Sequence, residues 1–227
     1  MHKPTSSKPA STLLPLSLKC PLCGNTETSL FHRDKVREYH QCATCQLVFV
    51  PKKYHLSEEA EKSIYDLHQN DALDSGYRHF LGRIYDPICA KIKPPAIGLD
   101  FGSGPGPVLS TMFQEAGYDI SIYDIYYAPQ KDVLRNAYDF ITCSEVIEHV
   151  KAPDQIFNQI LTLLKPNAWL GMMTKLVIDQ KAFQHWHYKN DPTHICFFSK
   201  DTFYWVADRF SLELEFIGKD VILMRSQ

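Results

Sequence analysis

The chain has 227 residues, 44% of them hydrophobic and 22% charged, which leaves room for one full domain plus a small appendage and excludes disordered, collagenous and rod-like classes. Lys and Arg number 24 against 26 Asp and Glu, a formal charge of −2, so no whole-chain field calls for a nucleic acid or an anionic membrane surface. No apolar run reaches the roughly 18 to 20 residues of a membrane span, and a cytoplasmic setting is expected.

Residues 1–17, rich in Pro, Ser, Thr and Lys, read as a disordered tail. Residues 18–55 carry Cys20-x2-Cys23 and Cys42-x2-Cys45, whose spacing predicts a ribbon around one tetrahedral Zn2+. With four protein thiolates the site is closed, hence structural, and a segment this short needs the metal to fold. Disulfides are the other use of such cysteines, and a reducing compartment disfavours them. Six basic against three acidic residues between Leu18 and His55 are a weak sign of RNA, so the ribbon is expected to recognise or scaffold rather than react.

Residues 56–95 read as a helical linker that packs on the main domain. Ser57 before Glu58, Glu59 and Glu61 marks a capped helix start. Tyr77, Leu81, Ile84, Ile88 and Ile92 recur at helical spacing, with a kink expected at Pro87 and a stop at Pro94-Pro95.

From residue 96 to 227 short apolar strands alternate with amphipathic helices, the pattern of an α/β sheet with crossovers. Strands are expected over 97–101, 120–124, 138–143 and 169–174. Between them, Val108 to Ala116 and Ile156 to Leu164 supply helix faces. An irregular aromatic and His-rich stretch follows, then a helix capped by Ser199 and a hairpin of strands over 212–217 and 220–224.

The first strand of that domain runs into Asp100-Phe101-Gly102-Ser103-Gly104-Pro105-Gly106, where bare backbone can approach a ligand closely. Asp124 ends the next strand, placed to accept both hydroxyls of a ribose, so an adenosine-containing cofactor is expected. Pro107 occupies the third glycine position of a dinucleotide fingerprint, which disfavours NAD. Asp100 can take the ammonium of an amino-acid tail, and S-adenosylmethionine has both the ribose and that tail. Gly102, Ser103, Gly104, Gly106, Ser144 and the upstream Tyr77 complete the candidate cofactor contacts.

The runs Leu99 to Gly106, Tyr123-Asp124 and Ser144-Glu145-Val146-Ile147-Glu148-His149-Val150 resemble those of class I S-adenosylmethionine-dependent methyltransferases, over about residues 76–227. The resemblance implies a Rossmann-like α/β sheet with a reversed final strand. Only residues 125–137 separate the second strand from the third, too few for the family's usual helix, strand and helix, so a shortened edge is expected. Family members with a compact edge and an N-terminal zinc module include sugar C-methyltransferases.

Glu145, Glu148 and His149 stand at i, i+3 and i+4, so one helical turn would gather them on a face that can act in proton transfer or hold a divalent ion. This run is similar to that of ubiquinone-pathway O-methyltransferases and small-RNA 2′-O-methyltransferases, which implies a magnesium-type or other divalent ion holding an acceptor hydroxyl, with His194 as a fourth ligand. His185, His187 and His194, set among Trp186, Tyr188 and Asp191, read as a substrate lid, and Glu145, His149, His187 and His194 are the candidate catalytic residues. The expected activity is methyl transfer to a hydroxyl of a small molecule, favoured over RNA. The other reading is a catalytically silent docking protein for RNA or a protein partner.

Overall fold

The computed structural model describes residues 18–67 and 70–226, so the tail expected over 1–17 lies outside the described residues. Strands β1 (Thr28–Arg33) and β2 (Glu38–Cys42) pair antiparallel. Asp34 closes their turn, its Oδ1 accepting the N–H groups of Val36 at 2.8 Å and Arg37 at 2.9 Å. The short β3 (Val48–Phe49) continues this sheet.

Helix α1 (Glu58–Tyr65) starts where the Ser57 hydroxyl accepts the Ala60 N–H. Helix α2 (Ser75–Lys91) is capped by Asp74 and runs through Pro87, burying Leu81, Ile84 and Ile88. The main domain follows as β4 (Ile97–Phe101), α3 (Val108–Glu115), β5 (Asp119–Tyr123), β6 (Tyr138–Ser144), α4 (Pro153–Thr162) and β7 (Leu164–Met173). It ends with α5 (Gln180–Gln184), β8 (Cys196–Phe197), α6 (Lys200–Phe210), β9 (Glu213–Ile217) and β10 (Val221–Arg225).

The large sheet has the order β5-β4-β6-β7-β10-β9, with the first four strands parallel and β10 antiparallel to both its neighbours. This is the reversed final hairpin expected of the family. Residues between β5 and β6 form a 3-10 turn at Lys131–Arg135, and among the described residues no strand lies outside β5, so the edge is short as expected. Strand β7 begins at Leu164, earlier than the apolar run suggests, because a register shift against β6 absorbs Pro166 and the left-handed Asn167.

Helices α2 and α3 cover one face of this sheet, where Ile84, Ile88, Val108 and Phe113 pack with Phe140. On the other face, Phe157, Ile160, Phe203 and Val206 belong to a core that continues into Leu22, Tyr39, Leu47 and Val48 of the cysteine-bearing segment. That segment also takes its fourth strand from the main domain, since β3 pairs with β8. The ribbon expected over 18–55 is therefore fused to the domain through both core and backbone.

Candidate active site

Strand β4 delivers its chain into a turn whose Gly102 and Gly104 have φ of 79° and 65°, a left-handed conformation that favours glycine. A Cβ on Gly102 would lie 2.3 Å from Val146 Cγ2, so the turn and the loop after β6 touch at van der Waals distance only because that position is bare. Gly104 faces open space, and its N–H donates to Asp124 Oδ2 at 3.0 Å. The other Asp124 oxygen accepts the N–H groups of Tyr126 at 2.8 Å and Tyr127 at 3.1 Å. Among the described residues Asp124 makes no ion pair, and it lines a cleft of about 540 Å³ with Phe101, Gly102, Gly104, Tyr126 and Glu145.

Asp100 is buried under this turn and accepts the Thr142 hydroxyl at 2.8 Å. Burial pushes its carboxyl up to about 6, with Asp124 adding to the effect, so a cation arriving beside it would be well received. Ser103 Oγ is buried with no hydrogen-bond partner among the described residues. Tyr77, on the first turn of α2, stacks on Phe80, and its hydroxyl is pushed up by burial and then by the charges of Asp100 and Glu145, which places it on this side of the sheet. Ser144 ends β6 beside Met173. Gly106 serves a different purpose: a Cβ there would come 2.5 Å from the Asn70 carbonyl oxygen, so its bareness admits the segment before α2.

The helical turn expected to align Glu145, Glu148 and His149 does not form. Glu145 sits at φ 52° with its N–H donated to Met173 O at 2.7 Å, and the 3-10 turn starts only at Ile147 (Ile147–His149). The two carboxylates instead meet through Tyr188. Its hydroxyl donates to Glu148 Oε1, lies 3.2 Å from Glu145 Oε2 and 3.3 Å from the Thr174 hydroxyl. Burial pushes Glu145 up to about 7; burial, and then the charge of Glu145, push Glu148 up to about 8. Glu145 Oε1 is buried with no hydrogen-bond partner among the described residues.

His194 is buried, and its Nδ1 contacts Tyr188 O at 2.7 Å, an acceptor that fixes the proton on Nδ1 and leaves Nε2 with a lone pair. Burial holds its imidazole below the usual range, against the pull of the Asp191 carboxylate 3.8 Å from Nε2. Its ring packs 4.6 Å from His149, and one donor atom each of Glu148, His149 and His194 lie within 4.8 Å of one another. Glu145 stands outside this donor cluster. His187 is exposed and pairs at 3.1 Å with Lys175 Nζ, so the structure does not bring it to the cluster.

The thiols of Cys20, Cys23, Cys42 and Cys45 also lie within 4.8 Å of one another, an arrangement compatible with zinc. Cys20 and Cys45 approach to 3.5 Å, Cys23 and Cys42 to 3.3 Å, and the Cys45 thiol draws the Cys20 thiol down to about 5. All seven cysteines are free.

Two contributors were not singled out in the sequence. Helix α1 forms a wall of the cleft: Tyr65 packs 6.0 Å from Tyr126 and 5.4 Å from His149, while Glu58 and Glu61 line the opening. Its only local signal is Tyr65 four residues after Glu61, to which its hydroxyl donates at 3.0 Å. Tyr188 was visible only as part of the aromatic stretch.

A sequence model described as "Methyltransferase domain" matches residues 73–215. The ubiquinone biosynthesis O-methyltransferase of Shewanella pealeana is 29% identical over 93 residues, 41% of this chain and 39% of that protein. The protein of the same name from Colwellia psychrerythraea is 26% identical over 137 residues, 60% of this chain and 54% of that protein, so the chain spans about half or less of the curated relatives it matches. In fold it is similar to the Burkholderia thailandensis 1,6-didemethyltoxoflavin-N1-methyltransferase, solved with 1,6-didemethyltoxoflavin and S-adenosylhomocysteine, at a TM-score of 0.51 and 13% identity over 82% of this chain and 98% of that one. An O-methyltransferase family protein from the same organism aligns with a TM-score of 0.51 and 11% identity over 77% of this chain and 61% of that one. With a family model matched over more than half its length, and with a glycine turn, an acidic residue after β5 and a reversed final hairpin in its sheet, the chain belongs to the methyltransferase-domain family.

Proposed function

We propose that the chain methylates a hydroxyl oxygen of a small-molecule acceptor, and that Glu145 takes the proton the oxygen loses. The observation that carries this reading is Glu145 Oε1, buried and without a hydrogen-bond partner among the described residues, at the wall of the same cleft that holds Gly102, Gly104 and Asp124. S-adenosylmethionine supplies, when bound, a methyl group on a sulfonium that leaves as a neutral thioether. Asp124 would hold the ribose hydroxyls, Asp100 would take the ammonium of the amino-acid tail, and the Gly102 to Gly104 turn would let the chain approach closely. Tyr188 holds Glu145 and Glu148 in place, so that the acceptor oxygen meets a fixed base.

A small acceptor is favoured over RNA by the charge of the cleft. Glu58, Glu61, Asp124 and Glu145 line it against one lysine, Lys151, and a phosphodiester backbone would be repelled. Glu148, His149 and His194 fit a divalent ion that would hold the acceptor hydroxyl and lower its pKa, and a carboxylate with two imidazoles suits a first-row transition ion better than magnesium. The four thiolates over 18–55 would hold a structural Zn2+. No described helix is long and apolar enough to cross a membrane. A cytoplasmic setting, where thiols stay reduced, fits the free cysteines.

The test is transfer of a tritiated methyl group from S-adenosylmethionine to three probe classes: catechols, primary amines and a single-stranded RNA. The proposal expects label on the catechol oxygen; label only on amine nitrogen or on RNA would contradict it. The docking reading predicts no label anywhere and no cofactor binding.

A further inference from the structure

Arg37 belongs to the cysteine-bearing segment, yet its side chain ends inside the main domain. It is 5% exposed, and its guanidinium donates from Nε to Tyr39 Oη at 2.9 Å, from Nη2 to Lys189 O and to Asp191 O at 2.8 Å, and from Nη1 to Pro192 O at 3.2 Å. The three carbonyls bracket the stretch of chain between Tyr188 and His194. A planar fork of five N–H donors can serve several carbonyls at once, which a lysine ammonium on a flexible stem cannot. A second connection runs alongside. Val50 donates its N–H to Ile195 O at 2.9 Å, and Ile195 donates its own to Glu148 O at 2.8 Å, so backbone bonds lead from the end of β3 to the turn that carries Glu148 and His149.

Burying a guanidinium is costly unless its donors are used. Here four are used, three of them on one loop; among the described residues the guanidinium makes no ion pair, and Asp34 is joined to it through the Tyr39 hydroxyl and the hairpin backbone. By contrast Arg33, on the same hairpin, makes an exposed ion pair with Glu38 at 2.6 Å.

We propose that Arg37 is a positioning residue for methyl transfer: by clamping the carbonyls of Lys189, Asp191 and Pro192 it sets Tyr188 between the two carboxylates and His194 against His149, which makes the cysteine-bearing segment a working part of the active site. The proposal rests on the reading of Glu145, His149 and His194 as the reacting face. Its consequence is that the segment cannot be removed or loosened without loosening the base, even though it lines no part of the glycine turn.

The test uses the full-length chain carrying 15N-labelled histidine, with S-adenosylhomocysteine as the cofactor probe and Arg33→Ala as the control. In Arg37→Ala the proposal expects cofactor affinity within about twofold of the parent, loss of the distinct His194 Nδ1 resonance, and amide exchange at Ile195 faster by about tenfold or more. Methylguanidinium should restore both signals by refilling the vacated space, and methylammonium should not. Arg37→Lys, which keeps most of the stem, gives the same readouts if the alanine variant does not fold. An unchanged His194 resonance and unchanged Ile195 protection in a folded Arg37 variant would overturn the clamp. Failure of the parent chain to bind S-adenosylhomocysteine would instead overturn the site reading, while the Ile195 measurement would still judge the clamp.

Discussion

The hydroxyl of Tyr188 donates to the carboxylate of Glu148, 40 residues earlier in the chain, and so ties the loop after α5 to the turn after β6. Glu148 is completely buried, and burial keeps its carboxyl far above the usual range. Replacing Tyr188 by Phe leaves that oxygen without its donor. Such a loss costs about 1–3 kcal/mol in a buried site, so Tyr188→Phe should lower the melting temperature and reduce methyl transfer more than it reduces cofactor binding. Equal loss of both would place Tyr188 in the cofactor site instead.

Asp100 sets a pH dependence. Its folded-state carboxyl lies at about 6, above the 3.8 of a free Asp. The folded chain therefore holds a proton that the unfolded chain has released, and the stability this group contributes falls as pH rises from about 4 to about 6. A cationic amino-acid tail favours the ionised form, so binding below about pH 6 must expel the proton. The affinity for S-adenosylhomocysteine should weaken as pH drops below about 6, approaching tenfold per unit, and Asp100→Asn should flatten the profile. Calorimetric titration across pH 5 to 7.5 reads this directly, and an affinity constant over the range would remove Asp100 from cofactor recognition.

Gly102 is the tightest point of the turn. A methyl group there would press on Val146 Cγ2 at 2.3 Å in a backbone of φ 79°. Strain of about 1–2 kcal/mol from the left-handed conformation adds to that collision. Gly102→Ala should lose cofactor binding, while Gly104→Ala, at φ 65° and so strained as well but meeting no atom within 4 Å, should cost less stability. Differential scanning calorimetry and titration of both variants would show the order.

The strands that carry the cofactor turn were legible because the chain announces them locally. Strand β4 falls on residues 97–101 as its apolar run predicts, Ser199 caps α6, and the closing hairpin follows from two apolar runs around Gly218. What was not legible depends on distant partners. Two-residue β8 exists because β3 pairs with it, and Glu145 leaves helical geometry because Met173 O takes its N–H. Arg37 finds its acceptors about 150 residues away, and no spacing rule connects such positions. The stretch from His185 to His194 shows its aromatic and His-rich character in the sequence, yet only the fold shows that His194 turns inward while His187 faces Lys175.

The cysteine cluster makes a separate prediction. If four thiolates close on zinc, then Cys42→Ser should weaken the shared core that joins Leu22, Tyr39 and Val48 to Phe197, and the loss should reach the His194 loop. A zinc-selective chelator should lower the melting temperature of the parent chain and leave that of Cys42→Ser nearly unchanged. Equal responses would show that no metal is held there.

Everything rests on the glycine turn and Asp124 gripping an adenosyl ligand. Isothermal titration of the full chain with S-adenosylhomocysteine, beside Asp124→Ala, is the most direct measurement. One bound ligand per chain, with affinity lost in the variant, is the predicted result; no heat from the parent chain, or equal affinity in both, would contradict it.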